Sequence, residues 1–252
     1  MNFNLPFIPE RPEKPRSSGL TMVMDKGLSL KEAESLCEVA SDYSDFVKLG
    51  FGTGLLTPGL KEKINVYKQA GITPYFGGTL FEAFIARNMF DDYRRFIDDS
   101  GVEAAEVSDG VLPINHDKKC EYIRVLSKDF QTFSEVGTKL KGKEISNIEW
   151  VSWMKSELEA GAWKVIAEAR ESGNMGIYKE DGSANCNLVM DIKKEINTED
   201  ILWEAPLKSQ QVWFIKLLGA NVNLGNISNT EVIPLETLRR GLRGDTLLSF
   251  LP

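Results

Sequence analysis

Eight short apolar runs in this chain each stop at turn residues, seven of them through a charged or amide side chain. They occupy 19–25, 45–48, 73–78, 104–109, 132–135, 162–168, 201–204 and 220–225, and stretches of helical character separate them. Strand and helix therefore alternate eight times, and 252 residues is an ordinary length for a (β/α)8 TIM barrel. The pattern predicts a single α/β domain over 19–252. Ahead of it, residues 1–18 carry Pro6, Pro9, Pro12 and Pro15 among charges, which predicts an extended N-terminal arm.

The helical stretches have their own punctuation. Ser29 and Glu32 form a capping box at the head of a helix through Leu36, and the stretch 58–69 stops at Gly71. Further helices are predicted at 79–88, 90–99, 117–128, 148–159, 206–218 and 234–242, with 172–182 a long Gly/Asn/Asp-rich loop.

A formal charge of −7 argues against an electrostatic grip on nucleic acid or an anionic membrane. Cys37, Cys120 and Cys186 have neither zinc-ligand nor disulfide-framework spacing and read as free thiols. No apolar run is long enough to span a bilayer and no signal-peptide core is present, so a cytoplasmic protein is expected.

If the terminal polar residue of each run faces the barrel axis, Asp25, Lys48, Glu106, Glu135, Glu168, Glu204 and Asn223 converge on one mouth, with Arg170 two residues beyond Glu168. Gly77, Gly78 and Thr79 mark a place where backbone can approach a ligand. So many carboxylates need compensating cations, which Lys26, Lys48, Lys139 and Arg170 supply in part and a hard divalent metal would supply further. The carboxyl end of a barrel is where its active sites sit. His116 reads as a solvated loop residue. The glycine-rich stretch 50–54 lacks the spacing of a dinucleotide fingerprint, though its N–H groups could bind phosphate. Arg239, Arg240 and Arg243 suggest either surface ion pairs or an anion or subunit contact.

Several colinear blocks resemble the phosphosulfolactate synthase family: 19–27, 46–50, 77–82, 106–110, 134–137, 170–173, 204–211, 221–227 and 235–246. The resemblance implies a magnesium-dependent barrel that adds sulfite to phosphoenolpyruvate, giving (2R)-2-O-phospho-3-sulfolactate, a lyase-class reaction run in the synthetic direction. One known setting for it is coenzyme M biosynthesis, another sulfolactate formation. It further implies Mg2+ held by Glu106, Glu135 and Glu168, and Lys139 as general acid, with Lys141 as fallback. Lys26, Lys48, Gly78, Thr79, Ser108, Arg170, Asn223 and Gly225 become substrate contacts, and Asp25, Asp109, Glu171 and Glu204 complete the mouth. A homo-oligomer, trimeric or larger, is expected. The alternatives are a non-catalytic, stress-associated barrel, as in plant relatives of the family, and a different magnesium enzyme acting on an enol phosphate or 2-oxo acid.

Overall fold

The computed structural model describes residues 3–138 and 145–252. Its strands are β1 (Thr21–Asp25), β2 (Phe46–Leu49), β3 (Thr73–Phe76), β4 (Ala104–Val107), β5 (Gln131–Val136), β6 (Lys164–Ala167), β7 (Ile201–Glu204) and β8 (Leu224–Ser228). The helices are α1 (Leu30–Ala40), α2 (Leu60–Gln69), α3 (Gly78–Ile85), α4 (Phe90–Ser100), α5 (His116–Leu126), α6 (Asn147–Glu159), α7 (Cys186–Glu195), α8 (Lys208–Leu218) and α9 (Val232–Arg239). Every paired strand is parallel, in the order β3-β2-β1-β8-β7-β6-β5-β4, and β3 touches β4 at the seam. This is the expected (β/α)8 barrel. The Ser29–Glu32 capping box opens α1.

A parallel strand buried on both faces carries no apolar–polar alternation, so its phase is fixed by which residues fill the lumen. Here Leu20, Met22, Met24, Phe46, Tyr75, Ala104, Phe133, Ile166 and Leu202 form one inner cluster. The Phe133 ring lies 5.0 Å from both Phe46 and Tyr75, an aromatic floor beneath the mouth. The alternate strand residues, Val23, Val47 and Val165 on one side and Leu49, Phe76 and Val107 on the other, pack outward against the helices.

Two strands differ in phase from the sequence expectation. In β1 it is Met24 that faces inward, so Asp25 points out of the barrel and not into the mouth. Its carboxylate accepts the N–H groups of Gly27 and Leu28 at 2.8 and 2.7 Å and the Tyr67 hydroxyl at 2.9 Å, and it pairs with Lys63 at 2.8 Å. Asp25 therefore ties α2 to the wall. The eighth strand begins at Leu224, later than expected, which leaves Asn223 at the amino end of the barrel. There it accepts from Leu20 N–H at 3.0 Å and donates to the carbonyls of Glu199 and Ile201 at 2.9 and 3.0 Å. A shift in register between β1 and β8 follows, with Asn226 at φ 56°, a conformation asparagine tolerates better than most residues. Gly225 faces the lumen, where a Cβ would come within 2.8 Å of Met22 Cε.

Two further differences concern helices. His116 is the first residue of α5, with Asn115 as N-cap, and not a loop residue. Helix α7, which the sequence reading left unassigned, is capped by Asn185 and buries Leu188, Val189 and Ile192.

The arm before β1 is pinned to the amino end of the barrel. Arg16 grips Asp45 through two 2.9 Å bonds while Asp45 also accepts from Thr21 N–H at 2.8 Å. Arg11 pairs with Glu236 at 3.2 Å and donates to the Gly19 carbonyl at 2.8 Å. Arg239 is fully buried and donates to the carbonyls of Ala220, Val222 and Leu20 at 2.6, 2.6 and 3.1 Å, and Arg240 pairs with Glu236 at 2.8 Å. Arg11 and Arg239 are thus structural clasps between the segments that lead into the first and last strands, while Arg240 steadies Glu236 on α9 itself. Among the described residues no helix is long and apolar enough to cross a membrane.

Candidate active site

The lumen turns from apolar to charged one layer above the aromatic floor. From β2, Lys48 extends its ammonium to within 3.0 Å of Glu106 on β4, 3.0 Å of Glu204 on β7 and 3.6 Å of Glu135 on β5. All four side chains are buried. Burial opposes the charge on Lys48, but Glu106, Glu204, the Tyr75 phenol and Glu135 outweigh it and hold the lysine well above its ordinary pKa. Burial and the Glu106 charge push the Tyr75 phenol up, so it stays neutral beneath the cluster.

Backbone donors fix the carboxylates further. Glu106 accepts the Gly78 N–H at 2.5 Å, and Glu204 accepts the Ala169 N–H at 2.8 Å. Gly78 opens α3, so the positive end of a helix dipole lies against Glu106. A side chain there is impossible: a Cβ at Gly78 would sit 2.5 Å from Ser108 and 2.9 Å from Glu106.

Above this layer is a cavity of about 290 Å³. Its lining includes Lys48, Glu106, Glu135 and Glu204, then Gly78, Thr79, Arg170 and Glu171 at the rim. Of the residues expected at the mouth, these eight share one space. Lys26 is exposed and pairs with Glu171, linking the loop after β1 to the loop after β6. Glu168 is fully buried beside the cavity, under Gly137, where a Cβ would lie 2.6 Å from that of Glu168.

Ser108 and Asp109 are not among the residues lining the cavity. The Ser108 hydroxyl donates to Glu82, which also accepts the N–H of Val111 at 2.9 Å, so Glu82 shapes the loop after β4. Asp109 pairs at 2.8 Å with Lys119 behind the wall. Lys139 and Lys141 lie outside the described residues.

Three contributors escaped the sequence reading. Asn226 lines the cavity and donates to the Ala169 carbonyl at 3.0 Å, a position it owes to the β8 irregularity. Glu82 and Lys119 sit on helices, where a lone charge reads as solvated. The block 77–82, which ends on Glu82, was the available signal for that residue.

Among the described residues, no group of three or more His, Cys, Asp or Glu side chains forms a ready metal site. The donors at the mouth are nonetheless hard carboxylate oxygens. They suit a cation such as magnesium, which usually takes one or two protein carboxylates and completes its shell with substrate and water.

A family model described as (2R)-phospho-3-sulfolactate synthase (ComA) matches residues 9–245. The phosphosulfolactate synthase of Bacillus subtilis (strain 168) is 43% identical over 243 residues, covering 95% of this chain and 96% of that protein. The phosphosulfolactate synthase of Methanothermobacter thermautotrophicus (strain Delta H) is 42% identical over 245 residues, covering 95% of each. Among solved structures, 3-hexulose-6-phosphate synthase from Salmonella typhimurium superposes with a TM-score of 0.55 at 16% identity, over 91% of this chain and 99% of that one, which speaks to the fold alone.

Proposed function

Because the chain belongs to the phosphosulfolactate synthase family, we propose that it joins sulfite to phosphoenolpyruvate at the carboxyl mouth of the barrel, giving (2R)-2-O-phospho-3-sulfolactate. The supporting observation is the Lys48 cluster: carboxylates from three strands and an ammonium from a fourth, buried together on one wall of a cavity. A merely structural barrel has no need of that charge at its lumen. A cavity of about 290 Å³ lies at the small end of the roughly 300–1,000 Å³ typical of ligand pockets, as small reactants require.

The reactants are anions and must be held against their own repulsion. Arg170 at the rim, with Lys26 from the facing loop, supplies positive charge, and the start of α3 offers its dipole and the Thr79 N–H to a phosphate. Lys48 orients Glu106, Glu135 and Glu204 and prevents their mutual repulsion from opening the mouth. Magnesium would be held by Glu135, Glu106 and Glu168 together with reactant oxygens, and would draw off the negative charge that develops on the carboxylate during addition. The carbon next to the new C–S bond then takes a proton on one face. Lys139 is the proposed donor, with Lys141 the second candidate.

This proposal also covers the protein's setting: a cytoplasmic homo-oligomer, trimeric or larger, working on small molecules. The test is to incubate purified protein with phosphoenolpyruvate, sulfite and magnesium and follow the phosphorus NMR spectrum. Phosphosulfolactate should accumulate, and chelation should slow it. No product under these conditions rejects the assignment in favour of a non-catalytic barrel, and turnover of another enol phosphate or 2-oxo acid alone redirects it.

A further inference from the structure

Phe51 holds a backbone conformation that its side chain disfavours. It is the second residue of the turn 50–53, which the Thr53 N–H closes onto the Gly50 carbonyl at 3.0 Å. Both central residues have positive φ, 56° at Phe51 and 68° at Gly52. That is the signature of a type I′ turn, whose central positions ordinarily go to glycine, asparagine or aspartate. Glycine adopts it freely; a bulky aromatic residue there is an outlier.

The surroundings enforce the turn. The Thr53 hydroxyl adds a second bond to the Gly50 carbonyl at 2.8 Å, and the Gly50 N–H is anchored to the Asp25 carbonyl at 2.9 Å. Core burial does not explain the choice of residue, since Phe51 is 55% exposed. It lines the mouth cavity instead, with Met24 and Val111 as apolar neighbours among Lys48, Glu106 and Arg170. Strained residues of this kind persist where neighbours over-determine them, commonly at ligand clamps.

We infer that Phe51 is a water-excluding contact: its ring covers the bound reactants and keeps solvent off the carbon that takes up the proton. This rests on the synthase reading above. In that reaction the sulfur lone pair forms the C–S bond at the methylene carbon and the π pair moves into the carboxylate. The neighbouring carbon then accepts one proton, the phosphate ester stays intact, and nothing is oxidised or reduced. A proton from a fixed protein group arrives on one face. A proton from bulk water arrives on either.

The test is the stereochemical purity of the product, by chiral chromatography, from wild type, Phe51→Ala, Phe51→Trp and Phe51→Gly. Wild type and Phe51→Trp should give one enantiomer. Phe51→Ala should give a mixture, with kcat/KM about tenfold lower as water enters the site. Phe51→Gly should also give a mixture while raising Tm by about 2–4 °C, because the strain is gone. A single enantiomer from Phe51→Ala, or a Phe51→Gly protein no more stable than wild type, overturns the inference while leaving the synthase reading intact. Wild-type protein that forms no product overturns both.

Discussion

Among the buried lysines of this barrel, Lys48 and Lys119 are buried for different purposes. Lys48 stands inside the lumen, shared by Glu106, Glu204 and Glu135, with a cavity on its open side. Lys119 stands behind the wall on α5, with Asp109 and Glu157 each at 2.8 Å and the Glu135 carbonyl at 2.6 Å, and it lines none of the cavity. Burial works against both charges. Glu106 and Glu204 chiefly overcome it at Lys48, Glu157 and Asp109 at Lys119, so each is held above its ordinary pKa. A buried charge enclosed on all sides organises structure, whereas one that faces both carboxylates and a cavity is arranged for a ligand. The two meet in a single residue. Glu135 presents its side chain to Lys48 and its carbonyl to Lys119, so the outer lysine sets the height of the inner carboxylate.

The sharpest way to break this contrast is Lys119→Met. Leaving Glu157 and Asp109 without their cation should cost about 3–5 kcal/mol of stability in urea unfolding. The protein that remains folded should keep kcat/KM within about tenfold of wild type, the scale of a positioning effect. Complete loss of turnover in folded protein would mean that the two lysines form one unit. Lys48→Met should add a loss of activity to a similar loss of stability: Glu106, Glu135 and Glu204 are left without their cation, and in the protein that remains folded kcat/KM should fall about a hundred- to thousandfold, as for removal of a preorganised electrostatic group. Lys139→Ala should cost about a hundredfold in kcat, the scale of a lost general acid; unchanged turnover would move that role to Lys141.

The smallest expected effect concerns pH behind the wall. His116 stacks on Trp153, accepts or donates at 2.7 Å with Ser156, and lies 3.7 Å from Glu157. Burial, with Lys119 next, lowers its pKa, opposed by Asp109 and Asp117. The folded state thus binds the proton less readily than the unfolded chain. The neutral ring's contribution is fully present above the unfolded value of about 6.5 and is lost as pH falls toward the folded one. His116→Gln should flatten this part of the stability–pH curve, read as melting temperature between pH 7.5 and 5.5.

The barrel was legible because its strands are short apolar runs, nearly all with a polar residue at or next to the carboxyl end, and because helices such as α1 carry their caps in the sequence. The lumen cluster was legible for the same reason: Lys48, Glu106, Glu135 and Glu204 do face inward at or next to the carboxyl ends of their strands. The rule failed where a strand's last polar residue had another duty. Asp25 is as polar as Glu106 but closes β1, where Glu106 is the last residue but one of β4, and alternation along β1 gives the inward place to Met24. At β8 an irregularity that no local pattern announces moved the mouth position from Asn223 to Asn226. Charges on helices, Glu82 and Lys119, were invisible because their partners are distant in sequence or lie on other elements.

The clasp between Arg11 and Glu236 joins residues 225 positions apart. Arg239 likewise binds the Leu20 carbonyl across 219 positions. Neither bond can form until the segment that carries α9 has been made, so the seam between first and last staves is sealed only after all eight strands exist. Contacts that close so large a loop form late because the chain must surrender its freedom before they reward it. A chain without α9 therefore leaves the Arg11 guanidinium and the Leu20 carbonyl without these partners at the amino end of the barrel.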